Sequence, residues 1–130
     1  MTQTDMTETT DVHRDILIVE DEAIVALDLK FIVEDMGLGT IGPCPTVRQG
    51  LREANANCPD IAILDVNLLD GEVYALADVL RDQHVPLIFH SAHADPVELA
   101  KRYPGAAFCP KPTTPYQIED CVKAALSRLQ

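Results

Sequence analysis

The segment "IAILDVNLLDG", residues 61–71, places an acid at the end of a strand-like run. Four apolar residues lead directly into Asp65, and the chain then turns at Asp70 and Gly71. A short, unbroken apolar run is typical of a strand buried on both faces, as strands are in parallel sheets. An acid is common at such a strand end, so its meaning depends on what the other strands bring to the same place.

Runs of the same kind recur along the chain and alternate with helical patterns. The predicted strands are residues 15–20, 39–43, 61–64, 86–89 and 106–109. Thr46, Asp95 and Thr114 stand where the N-caps of helices are expected, and Gly37 follows the first helical stretch as a stop signal. Five strand–helix units predict an α/β fold, with a doubly wound five-stranded parallel sheet and helices on both faces.

Length and composition indicate a single domain. The chain has 130 residues, of which 47 % are apolar and 24 % are charged, and a chain of this size can form a substantial core. Residues 1–14 are polar and rich in threonine, so we expect a flexible N-terminal tail followed by one domain over residues 15–130. The sequence shows neither a signal peptide nor an apolar run of membrane-spanning length, which favours a cytoplasmic protein without a membrane partner.

Charge and metal-binding residue types narrow the function further. The formal net charge of −11 argues against nucleic acid as a partner, because the phosphates would be repelled. His90 and His93 have an H-x-x-H spacing, but no nearby cysteine or second pair completes a zinc site. None of the four cysteines belongs to a C-x-x-C pair, so we expect reduced thiols. The cysteines are Cys44, Cys58, Cys109 and Cys121.

Polar side chains stand at the carboxyl ends of the predicted strands, where open α/β sheets form their sites. The first strand ends on Glu20 and Asp21, and the third ends on Asp65. The fourth is followed by Ser91 and the fifth by Lys111. Three converging carboxylates would repel one another, and a divalent cation held by oxygen ligands, such as Mg²⁺, would relieve that repulsion.

The same groups form a plausible set for phosphoryl transfer. Asp65 can act as a nucleophile and form an acyl phosphate. A metal ion and Lys111 would neutralise the phosphoryl oxygens, and Ser91 would donate a hydrogen bond to one of them.

Four segments carry a resemblance to a known family. They are "LIVED" (17–21), "ILDVN" (63–67), "FHSA" (89–92) and "FCPKP" (108–112). Together, in this order and at strand ends, they resemble the receiver domain of bacterial two-component response regulators, and the likeness spans residues 15–129. The resemblance implies a flavodoxin-like sheet with the strand order 2-1-3-4-5.

The resemblance also implies a role for each site residue. Asp65 corresponds to the phosphoacceptor, and Lys111 corresponds to the lysine that binds the phosphoryl group. Asp21 is expected to bind Mg²⁺ directly, together with Asp65. Glu20 is expected to assist through water, and Asn67 to contribute its backbone carbonyl.

Further implied features concern switching and the subgroup. Ser91 and Phe108 occupy the two switch positions, and the Lys111–Pro112 peptide bond is expected to be cis. Many receivers carry tyrosine at the position of Phe108, so the switch here lacks a phenolic hydroxyl. The short loop after Asp65 is similar to that of the alphaproteobacterial "FAT GUY" receivers, although "FHSAHAD" departs from the segment that names them.

The function that follows is that of a stand-alone response regulator that is not an enzyme. It would accept a phosphoryl group from a histidine kinase or phosphotransfer protein and signal through contacts with an unknown downstream protein. A phosphate shuttle or sink in a phosphorelay is a close variant. An aspartyl phosphohydrolase would place a second acid where Asn67 stands, and a flavodoxin-type electron carrier would not place acids at residues 20–22, where they would repel the FMN phosphate.

Overall fold

The computed structural model describes residues 13–129. Most of the predicted tail therefore lies outside the described residues, and the boundary at residue 15 stays a prediction. The backbone carbonyl of Arg14 accepts a hydrogen bond from Gly39 N at 2.9 Å, and its guanidinium lies 3.5 Å from Asp60. Residue 14 thus already contacts the folded domain.

Strands and helices alternate as the sequence predicts, with one addition. The strands are β1 (Asp15–Val19), β2 (Gly39–Cys44), β3 (Ile61–Leu64), β4 (Asn67–Leu68), β5 (Gly71–Glu72), β6 (Leu87–Ser91) and β7 (Ala107–Pro110). The helices are α1 (Ala23–Asp35), α2 (Val47–Ala56), α3 (Tyr74–Asp82), α4 (Pro96–Arg102) and α5 (Pro115–Ser127). None of the helices within residues 13–129 is both long enough and apolar enough to cross a bilayer.

The five long strands form one parallel sheet in the order β2-β1-β3-β6-β7. Counted without the two short strands, this is the predicted order 2-1-3-4-5, which is confirmed. The addition is β4–β5, a two-stranded antiparallel ladder that pairs Asn67 with Glu72 directly after Asp65. This ladder was not predicted, because two-residue strands leave no periodic pattern in the sequence.

The side chains of the central strands alternate between two apolar layers. Leu17 and Val19 of β1 pack in the layer that contains residues of α2 and α3, whereas Ile16 and Ile18 pack in the layer that contains residues of α1 and α5. Each layer is dry, since these strand residues have at most 1 % of their surface exposed. Helices therefore cover both faces of the sheet, and only the strand ends are free to carry polar groups.

The predicted N-caps of three helices are present. Thr46 Oγ1 accepts from Gln49 N at 3.1 Å, and Asp95 Oδ1 accepts from Val97 N at 2.9 Å. Thr114 forms a full capping box with Gln117. Because these bonds satisfy amides that have no partner within the helix, the caps define where the chain leaves each loop.

Helix α2 has a second cap that comes from a distant loop. The carboxylate of Asp70 accepts hydrogen bonds from Val47 N at 2.8 Å and Arg48 N at 3.1 Å. The bond from Val47 is the main reason that the pKa of Asp70 lies below its ordinary value. This contact ties the loop that follows Asp65 to the first turn of α2.

We expect Asp70→Ala to lower the thermal midpoint by several degrees at pH 7, because two amides at the start of α2 lose their acceptor. The folded-state pKa of Asp70 is depressed, so its contribution is fully present above the ordinary value near 3.8 and disappears as the pH falls through the lowered value. Thermal melts of the parent and the variant should therefore converge at low pH. Asp120→Ala, at an exposed site on α5, is the control and should not change the midpoint.

Candidate functional site at the carboxyl edge of the sheet

Three carboxylates meet at the carboxyl edge of the central strands. Glu20, Asp21 and Asp65 each offer an oxygen, and these oxygens lie within 4.8 Å of one another. The register of the sheet produces this convergence. Val19 of β1 pairs with Leu64 of β3, so Glu20 and Asp65 leave their strands side by side. The convergence predicted from the strand ends is thus present.

Two of the three acids are buried. Only 2 % of Glu20 and 6 % of Asp65 is exposed, whereas Asp21 is partly exposed. Burial raises the pKa of Glu20 above its ordinary value, and hydrogen bonds from Lys111 and from the amide of Glu22 oppose that effect. The charged form of Glu20 therefore depends on the hydrogen bonds from Lys111 and the Glu22 amide.

Lys111 supplies the counter-charge for this cluster. Its Nζ atom lies 2.9 Å from Glu20 Oε1, 3.2 Å from Asp65 Oδ2 and 2.9 Å from Glu22 Oε1. Burial disfavours the charged ammonium, but the hydrogen bonds to Glu20 and Glu22 raise the pKa of Lys111 above its ordinary value. Sequence reasoning missed Glu22 as a partner, although its position directly after Asp21 was visible.

The backbone around Lys111 holds its side chain at this edge. The Lys111 amide donates to the Ser91 carbonyl at 3.1 Å, which continues the pairing of β6 with β7. The Lys111–Pro112 peptide bond is cis, as expected. Ser91 itself is 1 % exposed and ends β6. The structure thus brings Ser91 and Lys111 into backbone contact at neighbouring strand ends.

Asn67 and Phe108 lie on either side of this centre. Asn67 is exposed and begins β4, and its amide lies 3.4 Å from Asp65 Oδ1, to which it donates. Phe108 of β7 pairs with Phe89 of β6, and its half-buried ring packs against the apolar layer that contains α2 and α3. The predicted roles of these two residues, a carbonyl ligand and a switch, remain predictions.

His90 is a buried residue of this region that sequence reasoning did not connect with the site. Only 3 % of it is exposed, and its Nδ1 atom lies 3.9 Å from Glu20 Oε1. Burial is the main reason that its pKa falls to about 4. His93, its partner in the H-x-x-H spacing, is exposed. The available signal was the position of His90 directly after the predicted strand 86–89, at the strand end where sites of this fold form.

Comparison with known families agrees with this geometry. Residues 16–123 match the family described as the response regulator receiver domain. The chain belongs to this family. The matched residues contain the acidic cluster and Lys111.

Individual relatives are similar over most of the chain. The phyllosphere-induced regulator PhyR of Methylorubrum extorquens is 31 % identical over 119 residues, which are 89 % of this chain and 45 % of PhyR. The transcriptional regulatory protein PdtaR of Mycobacterium tuberculosis is 28 % identical over 123 residues, which are 92 % of this chain and 60 % of PdtaR. The receiver chain thus spans about half the length of these relatives.

Solved structures share the fold. The crystal structure of the response regulator PhyR from Brucella abortus aligns with a TM-score of 0.77 at 26 % identity, over 90 % of this receiver and 49 % of that chain. The response regulator receiver protein from Sinorhizobium medicae aligns with a TM-score of 0.81 at 24 % identity, over 91 % and 98 % of the two chains. The likeness therefore covers nearly the whole of the described domain.

The donor set of this receiver fits a hard divalent cation. Glu20, Asp21 and Asp65 provide only oxygen ligands, and Asp21 remains open to solvent. Glu20 Oε1 is buried, and although it lies close to Lys111, it accepts no well-oriented hydrogen bond from the described residues. An all-oxygen set with water-accessible positions is the kind that Mg²⁺ prefers.

We expect Lys111→Met to lower the unfolding free energy by about 2–3 kcal/mol at pH 7, because buried Glu20 and Asp65 lose their counter-charge. Without Lys111 the pKa of Glu20 rises further, so protonation should return part of this stability as the pH falls from 7 toward 4.5. Urea titrations at both pH values measure the effect.

Two variants serve as controls for the Lys111 prediction. Lys101→Met removes a charge whose side chain is 70 % exposed and should leave the free energy of unfolding nearly unchanged. Adding Glu20→Gln to Lys111→Met removes the buried acid that has lost its counter-charge and should restore part of the lost free energy of unfolding. A double variant no more stable than Lys111→Met alone would show that repulsion at this site is unimportant.

Proposed function

We propose that this receiver accepts a phosphoryl group on Asp65 from a phosphohistidine of a histidine kinase or phosphotransfer protein. The observation that carries the proposal is the position of the Asp65 carboxylate, 6 % exposed at the sheet edge and 3.2 Å from Lys111 Nζ. A carboxylate held beside a fixed cation can act as a nucleophile toward phosphorus, since the cation stabilises the charge on the phosphoryl oxygens.

The transfer is a single displacement at phosphorus. An Asp65 carboxylate oxygen forms the new bond to phosphorus while the bond from phosphorus to the donor's imidazole nitrogen breaks. The leaving nitrogen takes up a proton from solvent, so that the donor histidine departs as neutral imidazole, and Asp65 becomes an acyl phosphate. Lys111 Nζ lies 3.2 Å from Asp65 Oδ2, and it would neutralise charge on a phosphoryl oxygen carried by that carboxylate.

The carboxylates of this chain would hold Mg²⁺ for the reaction. We assign Asp21 and Asp65 as direct ligands, Glu20 as a ligand through water and the Asn67 carbonyl as a further ligand. When bound, Mg²⁺ would neutralise charge on the phosphoryl oxygens, as Lys111 would also do. The clustering of the three acid oxygens within 4.8 Å supports this assignment.

We infer that the protein signals by a change in its surface and is a phosphoacceptor, not a turnover enzyme. Ser91 would move toward a phosphoryl group on Asp65, and the ring of Phe108 would turn into the space that Ser91 leaves. The pairing of Ser91 with Pro110 and of Phe89 with Phe108 supports a coupled movement of β6 and β7. The surface of α4, β7 and α5 would then present the change to a downstream protein.

The cytoplasm is the compartment that fits this proposal. Phosphohistidine donors are made there from ATP, and the four cysteines are free thiols, which persist in a reducing environment. The net charge of −11 favours protein partners over nucleic acid.

Incubation with Mg²⁺ and acetyl phosphate should add one phosphoryl group to the intact protein, measured by mass spectrometry. Asp65→Asn should remove the adduct, because an amide is not a nucleophile of comparable strength, and chelation of Mg²⁺ should slow its formation strongly. Asp120→Asn, at an exposed position of α5, is the matched control and should be labelled like the parent. An adduct that persists at full level in Asp65→Asn would place the acceptor elsewhere.

Ser91→Ala should still accept the phosphoryl group but transmit less of the change. A hydrogen bond from Ser91 to a charged phosphoryl oxygen is worth roughly 1.5–3 kcal/mol, enough to bias a two-state loop about tenfold or more. Amide chemical shifts measured before and after phosphorylation should therefore change less across residues 95–120 in the variant. Ser127→Ala, at the exposed end of α5, should respond like the parent. Equal shifts in Ser91→Ala would exclude this coupling route.

A further inference from the structure

The described residues contain one isolated group of buried polar atoms without hydrogen-bond partners. These atoms are Glu20 Oε1 and both ring nitrogens of His90. Buried groups of this kind are rare in folded proteins, because each gives up hydrogen bonds to water without replacing them. Glu20 Oε1 and His90 Nδ1 lie 3.9 Å apart, beside Asp65.

The sheet register explains how these side chains meet. Ile88 of β6 packs in the layer that contains α1 and α5, and Phe89 packs in the opposite layer, so His90 faces the side of Ile88. Leu64 of β3 pairs with Phe89, which places His90 beside Asp65 one step further along. Glu20 occupies the matching position on the other side of β3. Nδ1 of His90 then lies 3.9 Å from Glu20 Oε1, about 1 Å longer than a normal hydrogen bond.

While the site carries no phosphoryl group, carboxylates surround all three hydrogens of the Lys111 ammonium. An ammonium has three hydrogens, and three carboxylates surround Nζ within 3.2 Å. A phosphoryl group on Asp65 must draw Lys111 away from at least part of this set. Glu22 can rely on water, since its side chain is 63 % exposed, but Glu20 cannot, since its side chain is 1 % exposed.

We propose that His90 is a positioning residue whose Nδ1–H donates to Glu20 Oε1 when Lys111 turns to the phosphoryl group on Asp65. The inference rests on the proposed function and deepens it. A neutral imidazole carries its single hydrogen on either nitrogen, so it can provide this donor without adding a charge to the site. Glu20 would keep its orientation toward the metal site after its contact with the Lys111 ammonium is lost.

The inference predicts that His90 affects beryllofluoride binding but not Mg²⁺ binding. If His90 served only the packing of the domain, its substitution would weaken both. Mg²⁺ binding to the unmodified protein leaves Lys111 on Glu20, so it should depend little on His90. Beryllofluoride is a phosphoryl mimic that attaches to a carboxylate in the presence of Mg²⁺. Its binding would draw Lys111 from Glu20 toward the fluorides on Asp65, so it should depend strongly on His90.

The test compares three variants of the full chain. His90→Leu has a similar size and lacks the donor, His90→Asn keeps an N–H at the δ position, and His93→Leu is the exposed control. We expect His90→Leu to weaken beryllofluoride binding about tenfold, the loss of a hydrogen bond to a charged group, with Mg²⁺ affinity within about twofold of the parent. His90→Asn should recover most of the affinity, and His93→Leu should match the parent.

If His90→Leu does not fold, a measurement on the parent protein can still test the inference. Nitrogen-15 spectra of the histidine rings should show hydrogen on Nδ1 of His90 after beryllofluoride is added, with the proton shifted downfield by the new bond. An unchanged His90 ring, or equal beryllofluoride affinity in His90→Leu and the parent, would overturn the inference. Parallel losses of both affinities in His90→Leu and His90→Asn would also overturn it, because they indicate a packing role. Failure of the parent to bind beryllofluoride and to be phosphorylated on Asp65 would instead overturn the proposed function, and the inference with it.

Discussion

The ammonium group of Lys111 lies between carboxylates that would otherwise repel one another, and the edge of the sheet depends on this ion pairing. The parallel register delivers Glu20 and Asp65 to adjacent positions with almost no exposure to water. Charges are poorly screened there, so their repulsion is stronger than at the surface. Lys111 reaches both acids from the far edge strand, and its own amide is fixed by the Ser91 carbonyl. Strand pairing, not local sequence, therefore makes the cluster tolerable.

The same ion pairing connects stability with reactivity. Removing one partner from a buried ionic group is costly because the remaining charge stays desolvated. If Lys111 moves to a new anion, buried Glu20 therefore needs another cation or hydrogen-bond donor in its place. A cation bound by the acid cluster offers a charge, and His90 offers a neutral donor at 3.9 Å. In the proposed second arrangement, two of the buried atoms that lack partners, Glu20 Oε1 and His90 Nδ1, would become partners of each other.

Local patterns were sufficient for the strands, the caps and the edge at which the acids gather. Strands buried on both faces leave unbroken apolar runs, and Thr46, Asp95 and Thr114 are the residue types that satisfy the first amides of a helix. Alternation of strands with helices restricts the winding to few topologies, and parallel strands carry their carboxyl ends to one edge. Glu20, Asp21, Asp65 and Lys111 could therefore be grouped from their positions in the chain.

Contacts between residues distant in the chain had no local signature. Asp70 caps α2 at Val47, which precedes it by 23 residues, and only the path of the loop after Asp65 brings the two together. In the sequence, Glu22 resembles an ordinary loop residue and His90 an ordinary strand residue. Only the fold brings Glu22 to the ammonium of Lys111 and His90 to the carboxylate of Glu20. The amino-acid sequence determined the strands, the parallel winding and the acidic edge, because each follows from periodicity and chain direction, whereas the order of the strands came from the family resemblance of the motifs. Only the tertiary structure decided which carboxylates share the ammonium of Lys111. That sharing depends on distances between side chains of different strands, and the pattern within one strand does not encode those distances.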